Sequence, residues 1–136
     1  MSFSGDVGNF IKNAKLNQDK FVRQFSQELM YEVVQNTPVL TGFLRSSWHP
    51  YINNSGNDSS SGTADPSGQI ALDRIALIVS NLKAGDVLYY INHAEYGVFV
   101  EYGTSRMEPR AFVRSVVARA DTIAQRVATQ IMAGKI

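Results

Sequence analysis

Residues 90–117 read YINHAEYGVFVEYGTSRMEPRAFVRSVV, and the rest of the chain is arranged around them. An aromatic segment runs into Val100-Glu101-Tyr102-Gly103-Thr104, a short basic connector occupies 105–108, and Pro109 follows. Gly103 suits a sharp change of direction, because without a Cβ it takes positive φ at little cost. Pro109 suits the first position of a helix, where its missing N–H would be unbonded anyway. The stretch therefore encodes strand or short helix, hinge, and helix, in that order. Downstream, Phe112, Val113, Val116, Val117, Ala120, Ile123, Ala124, Val127 and Ile131 trace one continuous apolar stripe. That spacing predicts a single helix over 109–133, with Gly134 as its stop.

Working back from this stretch, 87–91 reads as a strand and Lys83-Ala84-Gly85-Asp86 as a turn. The apolar, β-branched run in 70–81 predicts a further strand. Residues 54–68 (NSGNDSSSGTADPSG) contain no large apolar side chain and predict a flexible loop. Trp48, Pro50, Tyr51 and Ile52 read as a strand, with Pro50 placing it at a sheet edge or bulge. Thr41 is a plausible N-cap for a short turn running through Ser46. Residues 6–35 read as helical: Phe10, Ile11 and Ala14 share a face, and Phe21, Val22, Phe25, Leu29 and Val33 continue it. The stripe thins around Asn17, which leaves one kinked helix or two. Thr37-Pro38 ends the element, since a residue before proline is pushed out of the α region. The expectation is one α+β domain over 1–136, a small, mostly antiparallel sheet packed against a long N-terminal and a long C-terminal helix.

Composition narrows the function. At 44% hydrophobic and 18% charged residues, the chain should bury a core. A net charge of +1 argues against a dedicated nucleic-acid binder. Cysteine is absent, so disulfides and thiolate metal sites are excluded. No apolar run reaches the ~18 residues of a membrane span, and the amino terminus lacks a signal-peptide core, so a soluble protein made in the cytoplasm is expected.

No arrangement of residues points to catalysis, a cofactor or a metal. His49 and His93 are far apart in sequence and read as surface or loop histidines. His93-Ala94-Glu95 matches the His-x-Glu of zinc deaminases only superficially, their Cys-x-x-Cys being impossible here. Glu101 has no committed acid–base partner. It reads as a structural or interface carboxylate, pairing with Arg106, Arg110 or Arg45, whose planar forks match it. Among Tyr89, Tyr90, Tyr96, Phe99 and Tyr102, most read as core and sheet packing and some as interface anchors. The arginines of the last helix read as its solvated face, with a subunit or DNA contact as alternatives.

Two motifs carry a resemblance. Val100-Glu101-Tyr102-Gly103-Thr104 with Met107, Pro109, Arg110-Ala111-Phe112 and Arg114, preceded by Asn36-Thr37-Pro38-Val39-Leu40-Thr41-Gly42-Phe43-Leu44-Arg45-Ser46-Ser47, resembles the neck or tail-completion proteins of long-tailed bacteriophages. Leu40 stands where that family often has an acidic residue, and Phe43 where a polar or basic one is common. The resemblance implies a non-catalytic virion protein without cofactor or metal, synthesised in the host cytoplasm. It would be built as a ring of six or twelve copies at the head–tail junction. Its neighbours would be head-completion or connector proteins and tail proteins, with DNA passing through unread and no membrane contact. A tail terminator ring or a small DNA-binding module remains the alternative. The implied motif or interface residues are Thr41, Gly42, Arg45, Glu101, Gly103, Arg106, Pro109, Arg110 and Arg114, with 54–68 as an arm toward an adjacent ring.

Overall fold

The chain opens on one helix, α1 (Phe3–Asn36). The computed structural model describes residues 3–39, 42–54, 64–94 and 96–135, with only the backbone at 3, 4, 6, 7, 9–11 and 13. The thin stripe near Asn17 does not break α1, because that region holds no proline or glycine and the helix does not need a buried face there. Its second half is buried through Met30, Val33 and Val34. Thr37 closes it: the backbone N–H and the side-chain hydroxyl both donate to the Val33 carbonyl, at 3.0 and 2.6 Å.

A single turn, α2 (Phe43–Ser46), leads to β1 (Trp48–Ile52). This strand pairs antiparallel with β2 (Leu88–Asn92), Pro50 lying opposite Tyr90. Among the described residues the sheet has just these two strands, so Pro50 occupies an edge, as its missing donor requires.

The strand expected in 70–81 is instead a helix, α3 (Gln69–Val79). Ala71, Ile75 and Val79 recur every four residues and are buried, whereas Leu77, which a strand would place on the face of Ile75, is 70% exposed. The residues ahead of α3 supply its start. Asp65 accepts from the Ile70 N–H at 2.9 Å, and the Ser67 hydroxyl accepts from the Gln69 N–H at 3.2 Å. The Ile70 bond most of all, then the Ser67 hydroxyl, holds the Asp65 carboxyl below its ordinary range. Most of the expected loop, residues 55–63, lies outside the described residues, as does Thr41 with its proposed cap.

After β2 comes α4 (Gly97–Tyr102), which resolves the ambiguity of the aromatic segment in favour of helix. The single helix expected over 109–133 is two: α5 (Arg114–Val117) and α6 (Ala120–Met132). Pro109 does not open either one. The intervening backbone is taken up by α4, whose carbonyls at Val100 and Glu101 accept the N–H groups of Arg110 (2.9 Å) and Ala111 (3.1 Å). Ala111 is held at φ 42°, so the helix cannot start there. Gly134 does stop α6, at φ 71°, with Lys135 N–H reaching back to the Gln130 carbonyl.

The α+β arrangement therefore stands, with a smaller sheet and more helix. α6 lies along α1 through Ile123 and Val127, and α3 lies between α1 and β1. Trp48 joins the layers: it stacks on Tyr90 at 4.7 Å, meets Phe112 edge-on, and donates its indole N–H to the Thr37 hydroxyl at 2.9 Å. Among the described residues, no helix is long and apolar enough to cross a membrane.

Candidate assembly interface

The upstream motif folds into a tie. Arg45 donates to the carbonyls of Gln35 (3.0 Å), Thr37 (3.0 and 3.3 Å) and Pro66 (2.8 Å). The first two belong to the end of α1, where carbonyls lack intrahelical partners and a cation is favoured. Gly42 lies at φ 89°, and a Cβ on it would sit 2.2 Å from the Pro66 nitrogen. Gly42 and Arg45 thus fasten the end of α1 to the segment that starts α3.

The downstream motif folds into a second tie. Glu101 is buried and accepts from the N–H groups of Val113 (3.0 Å) and Arg114 (2.8 Å). The expected ion pair with Arg106, Arg110 or Arg45 does not form; the partner is Arg114, whose Nε stands 3.7 Å from the carboxylate. Arg114 also donates to the Glu101 carbonyl at 2.7 Å and covers the Tyr102 ring at 4.4 Å. The other candidates went unrecruited because Arg45 is engaged at α1, while Arg106 and Arg110 sit exposed on the connector. Gly103, at φ 80°, lets the chain turn so tightly that a Cβ there would meet the Met107 carbonyl and Pro109 nitrogen at 2.8 Å.

The second tie holds α4 in place. Val98, Phe99 and Tyr102 are 64, 57 and 62% exposed, and Tyr96, Met107 and Val39 extend the apolar surface around them. Most of the aromatic cluster is therefore not core: Tyr90 is half-buried against Trp48, while Tyr89, Tyr96, Phe99 and Tyr102 face outward. Concave surfaces flank α4. One, of about 440 Å³, is lined by Val39, Leu44, Tyr96, Phe99, Met107 and Arg110. The other, about 380 Å³, is lined among others by Trp48, Tyr90, Val98, Tyr102 and Arg114. Exposed apolar side chains gathered around one element suit a protein contact or a ligand groove.

Sequence reasoning missed a histidine pair. His49 and His93, 4.7 Å apart at their ring centres, meet edge-on, and the Tyr51 hydroxyl lies 2.8 Å from His93 Nε2. His49 is only 7% exposed, not a surface residue, and its Nδ1 faces the Ser47 carbonyl at 3.0 Å. The usable signal was alternation, since positions 49 and 51 share a strand face and the register carries 93 onto it. Among the described residues no three His, Asp or Glu side chains could hold a metal ion. Glu101 and His93 share no hydrogen bond among those residues, each being committed elsewhere. On the last helix Arg119 and Arg126 turn toward Glu32 and Glu28 of α1, at 3.6 and 3.7 Å.

Tyr90 carries a testable pH dependence. Its hydroxyl is buried without a hydrogen-bond partner among the described residues, and burial raises its pKa well above the ordinary value, Arg74 opposing. The folded chain keeps this proton while the unfolded chain loses it near pH ~10. Its contribution to stability is therefore complete below that pH and is lost progressively as pH rises from there toward the raised folded value. Tyr90→Phe should remove this part of the alkaline slope in urea midpoints measured from about pH 8 to about pH 11. At neutral pH the same change should leave stability unchanged or raise it by ~1 kcal/mol, because an unpaired buried hydroxyl is removed.

Against known proteins, no family model matches this chain, and no curated protein or solved structure matches it either.

Proposed function

We propose that this chain is a structural virion protein, one subunit of a ring at the head–tail junction of a long-tailed phage. The observation that carries the reading is the division of labour in the two motifs. Gly42 and Arg45 are spent on fastening α1 to the start of α3, and Gly103, Glu101 and Arg114 on fixing α4, which presents an apolar ridge to solvent. That is how a subunit contact is built: a rigid scaffold holding exposed aromatic anchors. Function then lies in closure of the ring and in leaving a channel for DNA. The pairing of Arg119 and Arg126 with α1 favours a subunit that does not grip phosphates, since many such contacts would hold DNA back.

The test is electron microscopy of lysates from a producing strain in which this gene is silenced, then complemented. Full heads and separate tails accumulating unjoined, rescued by the wild-type chain and not by Phe99→Asp, are expected. Tails of irregular length would move the assignment to tail termination. Intact particles without the protein would refute both ring roles.

A further inference from the structure

The two strands of the sheet differ in what their outer edges carry. The His93 N–H sits on the Ser47 carbonyl at 3.1 Å and the Asn53 N–H on the Val87 carbonyl at 2.7 Å. With the observed register, this makes the odd-numbered pairs the hydrogen-bonded ones. The even-numbered backbone groups therefore point away from the ladder, at 48, 50 and 52 on β1 and at 88, 90 and 92 on β2. The edge of β1 is closed. Pro50 has no N–H to offer, the Trp48 carbonyl accepts from Arg74 at 2.7 Å, and α3 packs against the strand. The edge of β2 is open. Among the described residues, the backbone groups of Leu88, Tyr90 and Asn92 make no hydrogen bond, and no residue of this strand is buried.

Nothing in β2 guards that edge. Its sequence, LYYIN, has no charge and no proline, and its register shows no bulge, the usual protections of a free strand. Beside it lies the concave surface of about 380 Å³, lined by Trp48, Tyr90 and Asn92 from the sheet and by Val98, Tyr102 and Arg114 from the helices. Val98 and Tyr102, one turn apart on α4, are the exposed apolar members of that wall. Arg114 brings no unpaired charge, because Glu101 stands against it.

We propose that two copies of this chain pair antiparallel through β2, Tyr90 opposite Tyr90, into one four-stranded sheet ordered β1-β2-β2-β1. The edge is complementary to itself. Pairing about Tyr90 sets Leu88 against Asn92, so each free donor of one copy meets a free acceptor of the other. β1 cannot serve as the added strand, and for the same reason it ends growth on both sides, giving a closed two-fold pair rather than a fibre. Residues opposite one another across strands share a sheet face, so α4 of both copies comes to lie beneath the joined sheet. Val98 and Tyr102 then meet their counterparts, and one operation covers both the open edge and this side of the ridge. Edge and ridge together bury on the order of 1,000 Å², near the lower limit for a specific interface, so the pair should depend on concentration. Tyr96 and Phe99 line the other surface of α4. The contact concerns the free chain and stands apart from the ring reading above.

In this register position 89 of one copy faces position 91 of the other in a non-hydrogen-bonded pair, with Cα atoms ~4.5 Å apart, within reach of a disulfide. The chain has no cysteine of its own. Full-length Tyr89→Cys, and Ile91→Cys carrying a tag that changes its mobility, are each checked by circular dichroism, mixed under mild oxidant and run on a non-reducing gel. A mixed disulfide in excess of both homodimers is expected. Either homodimer in excess would mean a different register or face, and overturns the proposal. Sedimentation equilibrium of the wild-type chain should show monomer and dimer exchanging with concentration. Val98→Asp, at a position 64% exposed, should keep the wild-type circular dichroism and weaken the dimer at least ~10-fold. An unweakened dimer would mean that copies meet elsewhere. A wild-type chain that stays monomeric and forms no disulfide would overturn the pairing and leave the edge to an extended segment of another protein.

Discussion

Gly42→Ala is expected to lower the unfolding free energy by at least ~3 kcal/mol, a loss in the range reserved for strained backbone and core disruption. Two costs add. The residue sits at φ 89°, where an alanine Cβ is disfavoured by ~1–2 kcal/mol. That Cβ would also lie 2.2 Å from the Pro66 nitrogen and 2.3 Å from the Asp65 carbonyl carbon, so backbone rather than a flexible side chain must move. Moving it withdraws the Pro66 carbonyl from Arg45 and the Asp65 carboxylate from the start of α3. Thermal unfolding followed at 222 nm should fall by about 10 °C or more for a domain of this size. A midpoint within a degree or two of wild type would mean the tie is not needed.

Glu101→Ala should cost ~2–4 kcal/mol, chiefly by leaving the N–H groups of Val113 and Arg114 without their acceptor in a buried place. The ion pair itself adds little, because the Arg114 side chain is half exposed and solvent screens it. Glu101→Gln separates these terms: its amide oxygen can still accept one N–H, so about half the loss is expected. Urea denaturation of the three proteins gives the comparison. Equal losses for alanine and glutamine would mean that charge, rather than hydrogen-bond acceptance, holds α5 in place.

Elements whose packing is set by local pattern were legible in the sequence. The Thr37-Pro38 stop, the Trp48–Ile52 strand and the Gly134 stop follow from one or two residues each. Misreadings arose where an apolar run suits either period. In 70–81 the β-branched residues suggested a strand, although Asp65 and Ser67, placed to cap a helix, were in plain view. Pro109 misled for a different reason. A proline permits a helix start but does not compel one, and Val100 and Glu101 claimed the following N–H groups first. Of the candidate site, Glu101 reads from sequence as a structural or interface carboxylate and Gly103 as a turn; that Glu101 takes backbone N–H groups and Arg114, over three other arginines, depends on how α4 and α5 meet. No spacing rule encodes that meeting.

Trp48 is the only tryptophan in the chain, and it touches β2, the end of α1 and the start of the C-terminal helices through Tyr90, Thr37 and Phe112. Its emission is thereby an optical gauge of whether these layers remain packed. Light from this one indole, buried in the folded chain, should shift to the red when the three layers separate and water reaches it. A variant that loses assembly with unchanged emission has lost a contact; one whose emission moves to the red has lost its fold.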